Sequence, residues 1–283
     1  ITRRYVMANR EFSMTQLSAL FAPAFVLGGL STSQNDSGTG TVYNHRFTFQ
    51  DPSTNKECLY TTIIEKAGDE YQNLYSGVAI NSFSLTGNRN DHVVLGYEGF
   101  ARDKRLDSTT MPALAIGQSF FKILKSTFTF GASGSPSNIT NISADVLSFG
   151  LTVSQNAQPF WMPGNASGEE NLITKALIGD QTVSGSLVCF LDSARRNLFH
   201  DDDECELTIV LTGDQIGSTG LNFEVKITIL HFKISSESFG EEGQTTAYTM
   251  TFDENSVLKA NNDDFVSFEV QTNEDANQLL VAA

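Results

Sequence analysis

Short runs of β-branched and aromatic residues, separated by turn-forming residues, recur along the whole chain. The run at 224–229 alternates polar and apolar residues, as a strand with one buried face does. Asp, Asn, Gly or Pro bounds each run, and the pattern predicts a mostly all-β protein. The predicted strands are 43–50, 58–66, 74–86, 92–101, 118–130, 142–153, 182–191, 206–212, 222–233, 245–252 and 265–270.

Two segments carry a helical pattern instead. Residues 9–22 place apolar side chains at helical spacing and stop at Pro23, which predicts a short helix within an N-terminal arm, 1–40. Residues 192–199 predict a second short helix, because Asp192 or Ser193 can cap its free N–H groups. The polar segment 31–40 (STSQNDSGTG) is expected to be flexible.

The apolar stretch 17–30 follows three arginines, which resembles a secretory signal. Glu11 in the basic part, and Pro23 and a Gly-Gly pair in the apolar part, argue against that interpretation. The stretch is also too short to cross a bilayer. An arm that packs on a neighbouring subunit is the favoured interpretation.

A weak internal repeat relates two strands. Residues 82–86 (SFSLT) match residues 148–152 (SFGLT), and each copy leads into a second strand that ends on an aromatic residue. A short turn makes the first connection, and a long loop, 154–181, makes the second. The chain therefore reads as duplicated hairpins in two β halves, 41–130 and 131–252, followed by an acidic extension, 253–283.

The charge is strongly uneven. The formal net charge is −15, with 12 Lys and Arg against 11 Asp and Glu in residues 1–130, and 6 against 22 in the remainder. This balance argues against a protein that grips nucleic acid, because phosphate binding depends on basic side chains. The three cysteines have no metal-binding spacing and predict free thiols in a reducing compartment.

No catalytic or cofactor motif is present in the sequence. There is no nucleophile elbow, phosphate-binding loop or paired-histidine zinc motif. The acidic run 200–206 lacks the spacing of a calcium loop and is interpreted as a solvated loop. We therefore expect a protein that is not an enzyme and has no cofactor or metal.

One loop has an unusual composition. Phe160, Trp161 and Met162 lie between two prolines in the long loop, and Trp161 is the only tryptophan of the chain. Such a cluster either folds back on its own core or anchors another subunit, since aromatic residues and Met are enriched at interface centres.

The order of these motifs resembles the tail tube (major tail) proteins of long-tailed bacteriophages. The resemblance covers about 40–252. It rests on LYSGVAINSFSLTG (74–87), VVLGYEGF (93–100), SADVLSFGLTV (143–153), GDQTVSGSLVCFLDS (179–193), CELTIVLTG (205–213) and AYTMTF (247–252).

The resemblance implies a β-sandwich-like barrel with a short flanking helix that assembles into stacked rings. Loop 154–181 would then be the inter-ring loop, with Phe160, Trp161 and Met162 as stacking contacts. The excess acid would keep DNA from adhering to the lumen. The hairpins would line that lumen with Ser82, Ser84, Thr86, Ser148, Thr152, Ser184 and Ser186.

The implied partners are other copies of the chain, in trimeric or hexameric rings, together with tape-measure and tail-end proteins. Three copies are slightly favoured if each half is a complete tube domain. DNA would be passing cargo only, no membrane is implied, and the location would be the virion tail, assembled in the host cytoplasm.

Two other classes stay open on the sequence alone. One is another self-assembling virion or injection-device component, which would share rings but differ in stacking. The other is a carbohydrate-binding β module or β-rich enzyme, which would need a concave cluster of aromatic and acidic side chains.

Overall fold

The protein is a sandwich of two antiparallel β-sheets, as a computed structural model shows. The structure describes residues 6–7, 10–15, 18–34, 42–51, 56–67, 71–106, 120–132, 139–160, 173–190, 204–242, 245–257 and 265–273. The predicted all-β fold with one short flanking helix is confirmed.

Before residue 135, the described strands are β1 (Val6–Met7), β2 (Arg10–Ser13), β3 (Gly28–Gln34), β4 (Tyr43–Phe49), β5 (Tyr60–Ala67), β6 (Tyr71–Asn88), β7 (Val94–Leu106) and β8 (Thr127–Ala132). After it, they are β9 (Thr140–Asn141), β10 (Val146–Ser154), β11 (Gln158–Phe160), β12 (Lys175–Leu177), β13 (Thr182–Phe190), β14 (Cys205–Gln215), β15 (Asn222–Phe232), β16 (Ser236–Glu242), β17 (Thr245–Phe252) and β18 (Val266–Thr272). The helix α1 spans Phe21–Val26, and 3-10 turns occupy Ser18–Leu20 and Ile123–Lys125.

The first sheet has nine strands in the order β1-β7-β6-β10-β13-β17-β16. Strand β2 also pairs with β7, and β5 pairs with the N-terminal half of β6. The second sheet has seven strands in the order β3-β4-β18-β15-β14-β8-β9, and β11 and β12 form a separate small sheet. Both halves of the chain contribute strands to both large sheets.

A single hydrophobic core fills the space between the two large sheets. Phe83 of the first sheet meets Phe268 of the second edge to face, with ring centroids 5.1 Å apart, and Phe128 meets Phe149 at 5.6 Å. Edge-to-face geometry suits the ring quadrupole. The largest side chains below 2% exposure include eight phenylalanines: Phe47, Phe83, Phe121, Phe128, Phe130, Phe232, Phe252 and Phe268.

The N-terminal helix lies further along the chain than the sequence predicts. Residues 10–13 form strand β2 on the edge of β7, and the helix begins only at Phe21. Pro23 lies inside the first helical turn, where the N–H that proline lacks would have no intrahelical partner. The prediction of a helix over 9–22 was therefore wrong. The predicted helix at 192–199 lies outside the described residues.

Two backbone segments were also mispredicted. Within the described part of the predicted strand 118–130, the regular strand begins at Thr127, because a 3-10 turn at Ile123–Lys125 precedes it. The segment expected to be flexible from residue 31 is strand up to Gln34, because β3 pairs along its whole length with β4. Its side chains from Leu30 to Gln34 are exposed, so main-chain hydrogen bonds hold an otherwise polar strand in place.

The C-terminal extension contains a central strand. Strand β18 lies between β4 and β15 in the second sheet, paired on both sides. Its residues Val266, Phe268 and Val270 are at most 1% exposed. The predicted strand 265–270 is therefore confirmed, within an extension of otherwise acidic composition.

Candidate assembly surfaces

The two copies of the sequence repeat are neighbouring strands. Strands β6 and β10 pair antiparallel, and the hairpin partner of each copy lies on its outer side, in the order β7-β6-β10-β13. Thr86 pairs with Gly150, and Ser84 pairs with Thr152. The two hairpins are therefore related by a local two-fold axis perpendicular to the sheet.

The predicted lumen residues all lie on one face of this sheet, the face turned away from the core. Thr152 is level with Ser84 on one side and Ser184 on the other, and residues paired across strands share a face. Their exposure differs: Thr86 and Thr152 are exposed, Ser82 is buried, and the others are intermediate. The seven residues are Ser82, Ser84, Thr86, Ser148, Thr152, Ser184 and Ser186.

Hydroxyl groups continue across this face to the edge of the sheet. Thr251 of β17 pairs with Ser186 and with Ser236, and Thr249 pairs with Ser238. We call this surface the hydroxyl face; it consists of the outward-pointing residues of β6, β10, β13, β17 and β16. None of these five strands contains Lys or Arg.

Two exposed glutamates lie on the same side of the sheet as these hydroxyls, next to β6. In the register, Glu98 is level with Ser82, and Glu11 is level with Gly96, so both acids lie toward the β2 and β7 side. The central rows of the hydroxyl face are neutral.

The long loop 154–181 is anchored by a compact polar base. Asn156 adopts φ 44°, and its side chain donates to the carbonyl of Asp180 at 2.6 Å. The amide of Gly179 donates to the carbonyl of Gln155 at 3.0 Å. A Cβ at Gly179 would lie 2.4 Å from the carbonyl oxygen of Asn156, so only glycine allows the two strands of the base to approach so closely.

A small second core supports the loop base. Ile173 and Ala176 of the loop pack against Cys58, Ala79 and Phe100. Tyr60 accepts a hydrogen bond from the amide of Ala176 and donates to Glu57 at 3.2 Å. Burial raises the pKa of the Cys58 thiol and of the Tyr60 hydroxyl to about 12. The loop base is thus a structured platform.

Phe160 projects from this platform. It ends strand β11, is 46% exposed, and has the Lys175 ammonium 5.9 Å from its ring centroid. Of the two interpretations of the aromatic cluster, packing into the main core does not apply to Phe160. Trp161 and Met162 lie outside the described residues.

The opposite end of the sheet carries a second exposed apolar patch. Leu124 is 64% exposed and Phe120 is 41% exposed, with the Phe120 ring 4.7 Å from that of His92. His92 follows the turn after Asn88, whereas the loop leaves after Ser154, which pairs with Ser82. Six residues of β6 separate these levels, or about 20 Å along the strand.

Sites for chemistry are not evident in the described part of the chain. No cluster of three or more His, Cys, Asp and Glu side chains there could hold a metal ion. Of the acidic run 200–206, residues 204–206 are described, and one carboxylate oxygen of Glu204 lies 3.1 Å from His231 Nδ1. Among the described helical residues, none belongs to a helix long and apolar enough to cross a membrane.

Comparison with known proteins agrees with the fold. The family model described as phage tail tube protein matches residues 10–263, which is nearly the whole chain. A search of curated proteins finds no match. The chain therefore belongs to the phage tail tube protein family, and it is a structural component of a bacteriophage virion tail.

Proposed function

We propose that copies of this chain assemble into rings of three or six subunits, and that the rings stack into a tube whose lumen conducts the viral DNA into the host cell. Assembly takes place in the host cytoplasm with tape-measure and tail-end proteins. The observation that carries this proposal is the hydroxyl face, which spans five neighbouring strands without a cationic side chain.

A cation-free polar wall suits a channel for DNA. The duplex carries about one negative charge per 1.7 Å, and each Lys or Arg that neutralises a phosphate adds affinity through counterion release. Hydroxyl groups stay hydrated and release no counterions. DNA beside Thr86 and Thr152 would therefore meet a wetted surface with little affinity for it, which allows the genome to slide.

Head-to-tail stacking is supported by the two ends of the sheet. Phe160 projects at one end, and Leu124 and Phe120 are exposed at the other. We propose that the loop of one ring, with Phe160, Trp161 and Met162, contacts the Leu124 end of the next ring. A contact between two different surfaces that does not close on itself generates an open filament.

Negative-stain electron microscopy of the purified protein at high concentration tests the proposal. We expect hollow stacked rings for the wild type. Trp161→Ala and Leu124→Asp should leave single rings, because each removes one side of the stacking contact. Leu30→Ala is the matched control, since Leu30 is 38% exposed on β3 of the other sheet and should leave tubes intact.

Each outcome has a distinct meaning. Tubes from both stacking variants would refute the stacking contact and leave the tube role in place. Wild-type monomers at every concentration, with tape-measure and tail-end proteins also supplied, would refute self-assembly into rings. Class averages of the rings would count the subunits directly.

A further inference from the structure

The hairpin of β6 and β7 extends beyond the rest of the first sheet. Strand β10 pairs with β6 only from Ser82 to Asn88, whereas β5 pairs with the N-terminal part of β6, up to Ala79. On the N-terminal side of Gly77, the strands β5, β6 and β7 pair only with one another among the described strands. We call this outer part, residues 62–67, 71–77 and 102–106, the flap.

One side-chain contact shows that the flap is folded back toward β2. A carboxylate oxygen of Glu65, in β5, forms an ion pair with the Arg10 guanidinium of β2. In the register, Glu65 is level with Asn73 of β6, whereas Arg10 is level, through Tyr97, with Phe83, ten residues further along β6. A straight strand would hold these two levels about 33 Å apart. The flap must therefore curve back for the two side chains to meet.

The bend has a local cause in the backbone. Gly77 has φ 60°, a conformation that glycine adopts without the steric cost of a Cβ. The pairing of β6 with β7 shifts between Ile80 and Ser82, and its pairing with β5 shifts between Thr61 and Ile63. Such irregularities bend the strand that carries the extra residue. The flap is therefore joined to the sheet by a segment in which the regular ladder is interrupted on both sides of β6.

A polar cluster holds the flap in this position. The Tyr75 hydroxyl of the flap donates to the other carboxylate oxygen of Glu65 at 2.9 Å, next to Arg10. Tyr97 lies beside all three, with its ring 5.7 Å from that of Phe21 in α1. The Arg10 and Glu65 side chains are 45% and 31% exposed, whereas Tyr75 and Tyr97 are at most 7% exposed. The folded flap thus covers aromatic side chains, and a partly solvated ion pair closes it.

This closure has the strength of a reversible contact. A partly exposed ion pair shifts an equilibrium by about fivefold at most, because solvent screens the charges and both side chains lose freedom. The loop base does not depend on the flap. Its residues Ile173 and Ala176 pack with Ala79 and Phe100, which lie on the body side of Gly77. Opening of the flap at Gly77 would therefore leave the base of loop 154–181 in place.

We infer that the flap is a hinged element with a shut and an open position, that Gly77 is its hinge, and that the cluster of Arg10, Glu65 and Tyr75 is the latch that keeps it shut in the single chain. Strand β2 is the strap, because its pairing with β7 holds Arg10 in place. Opening exposes the rings of Tyr75 and Tyr97 and changes the surface that the subunit offers beside the loop base. The inference goes beyond the proposed tube role and does not depend on it, since the latch lies within one chain.

Hydrogen exchange of the full chain, at a concentration where it is a single chain, tests the latch. Protection of the flap amides reports how often the flap opens. Arg10→Ala should speed exchange in residues 62–65, 72–76 and 102–105 by about twofold to fivefold, because the ion pair is lost. Exchange in β14 and β15 of the second sheet should not change. Arg46→Ala is the matched control, since Arg46 pairs with Glu269 on the second sheet and its loss should leave the flap as in the wild type.

A covalent lock distinguishes an opening flap from a weakened fold. In the double variant Arg10→Cys/Glu65→Cys the latch is absent, so exchange in the flap should match that of Arg10→Ala. A short bis-maleimide should then join the two new thiols within one chain and return flap exchange to the wild-type rate. The native cysteines are buried and should not react: Cys58, Cys189 and Cys205.

Each alternative outcome would overturn a specific part of the inference. Unchanged flap exchange in Arg10→Ala would overturn the latch. Equal acceleration in the flap, β14 and β15 would overturn the hinge, because it would mean that the whole chain is destabilised. Failure of the two new thiols to be joined within one chain would overturn the shut position, and a link that leaves flap exchange fast would overturn the role of the latch in opening.

Discussion

Leu85 of β6 lies directly opposite Leu151 of β10, and each is the fourth residue of its copy of the five-residue repeat. The local two-fold axis that relates the two hairpins therefore passes between these two side chains. Both are at most 3% exposed and belong to the core between the sheets. The two copies of the sequence repeat are therefore paired with each other at the centre of the first sheet.

Truncation at this axis should weaken the fold. Leu85→Ala and Leu151→Ala should each lower the free energy of unfolding by about 2–5 kcal/mol, because each leaves a cavity in a packed core. Chemical denaturation measures the loss. Thr152→Ala, on the exposed face, is the control and should change it by no more than about 0.5 kcal/mol. The double variant should deviate from additivity, since the two side chains face each other.

The loop base should depend on a single glycine. Gly179→Ala places a methyl group against the carbonyl oxygen of Asn156, so it should distort the base and prevent ring stacking. Gly240→Ala is the matched control, because its added methyl group meets nothing. Thermal unfolding and electron microscopy of both variants check the prediction. Equal behaviour of the two alanine variants would contradict the role assigned to Gly179.

Cations placed on the hydroxyl face should make the tube retain DNA. Thr152→Lys and Ser184→Lys should raise the affinity of assembled tubes for duplex DNA, with a log–log salt slope that steepens by about one per phosphate contact. Thr152→Glu is the control at the same position, and tubes of this variant should not bind DNA. Filter binding over a salt series measures this. DNA affinity that is identical for the Lys and Glu variants would show that the face does not meet DNA.

The ion pair between Arg10 and Glu65 should contribute stability that depends on pH. The hydrogen bond from Arg10 holds the pKa of Glu65 below its ordinary value. That contribution is therefore present at neutral pH and is lost as the pH falls through the lowered pKa. Glu65→Gln should lower the unfolding free energy at pH 7 by at most about 1 kcal/mol, since the pair is partly exposed. The difference from wild type should vanish in strong acid. Glu254→Gln, at an exposed site, should show no such trend.

The native thiols should be unreactive until the chain unfolds. Burial raises the pKa of Cys58 to about 12, so almost no thiolate exists at pH 8. Cys189 and Cys205 are also buried. Maleimide labelling followed by mass spectrometry should give unmodified protein under native conditions and three adducts in denaturant. Rapid native labelling would indicate that the core opens readily.

The sequence predicted the strands best where packing is local and regular. The predicted 245–252 agrees with β17, and most other predicted strands agree within a few residues, because aromatic and β-branched residues mark a half-buried pleat. The prediction of a helix over 9–22 was wrong because apolar residues at helical spacing can also be buried by a short edge strand followed by a turn. Strands β3 and β16 were missed because main-chain pairing with a neighbour, and not their own side chains, makes them strands.

The sequence predicted which residues form the candidate surfaces, but it did not predict how those residues are arranged relative to each other. The repeat indicated which serines and threonines belong together, and alternation within a strand placed them on one side. The position of Glu98 and Glu11 beside them could not be predicted, because the register that aligns Glu98 with Ser82 and Glu11 with Gly96 depends on pairings between distant segments.

The interior position of β18 has a consequence for biosynthesis. Among the described strands, β4 and β15 are joined through β18, which follows every other one along the chain. Until it arrives, the second sheet is two separate pieces with unpaired inner edges. A nascent or prematurely terminated chain therefore cannot complete the sandwich. The fold makes synthesis of the chain through β18 a precondition for a subunit that can be built into the virion.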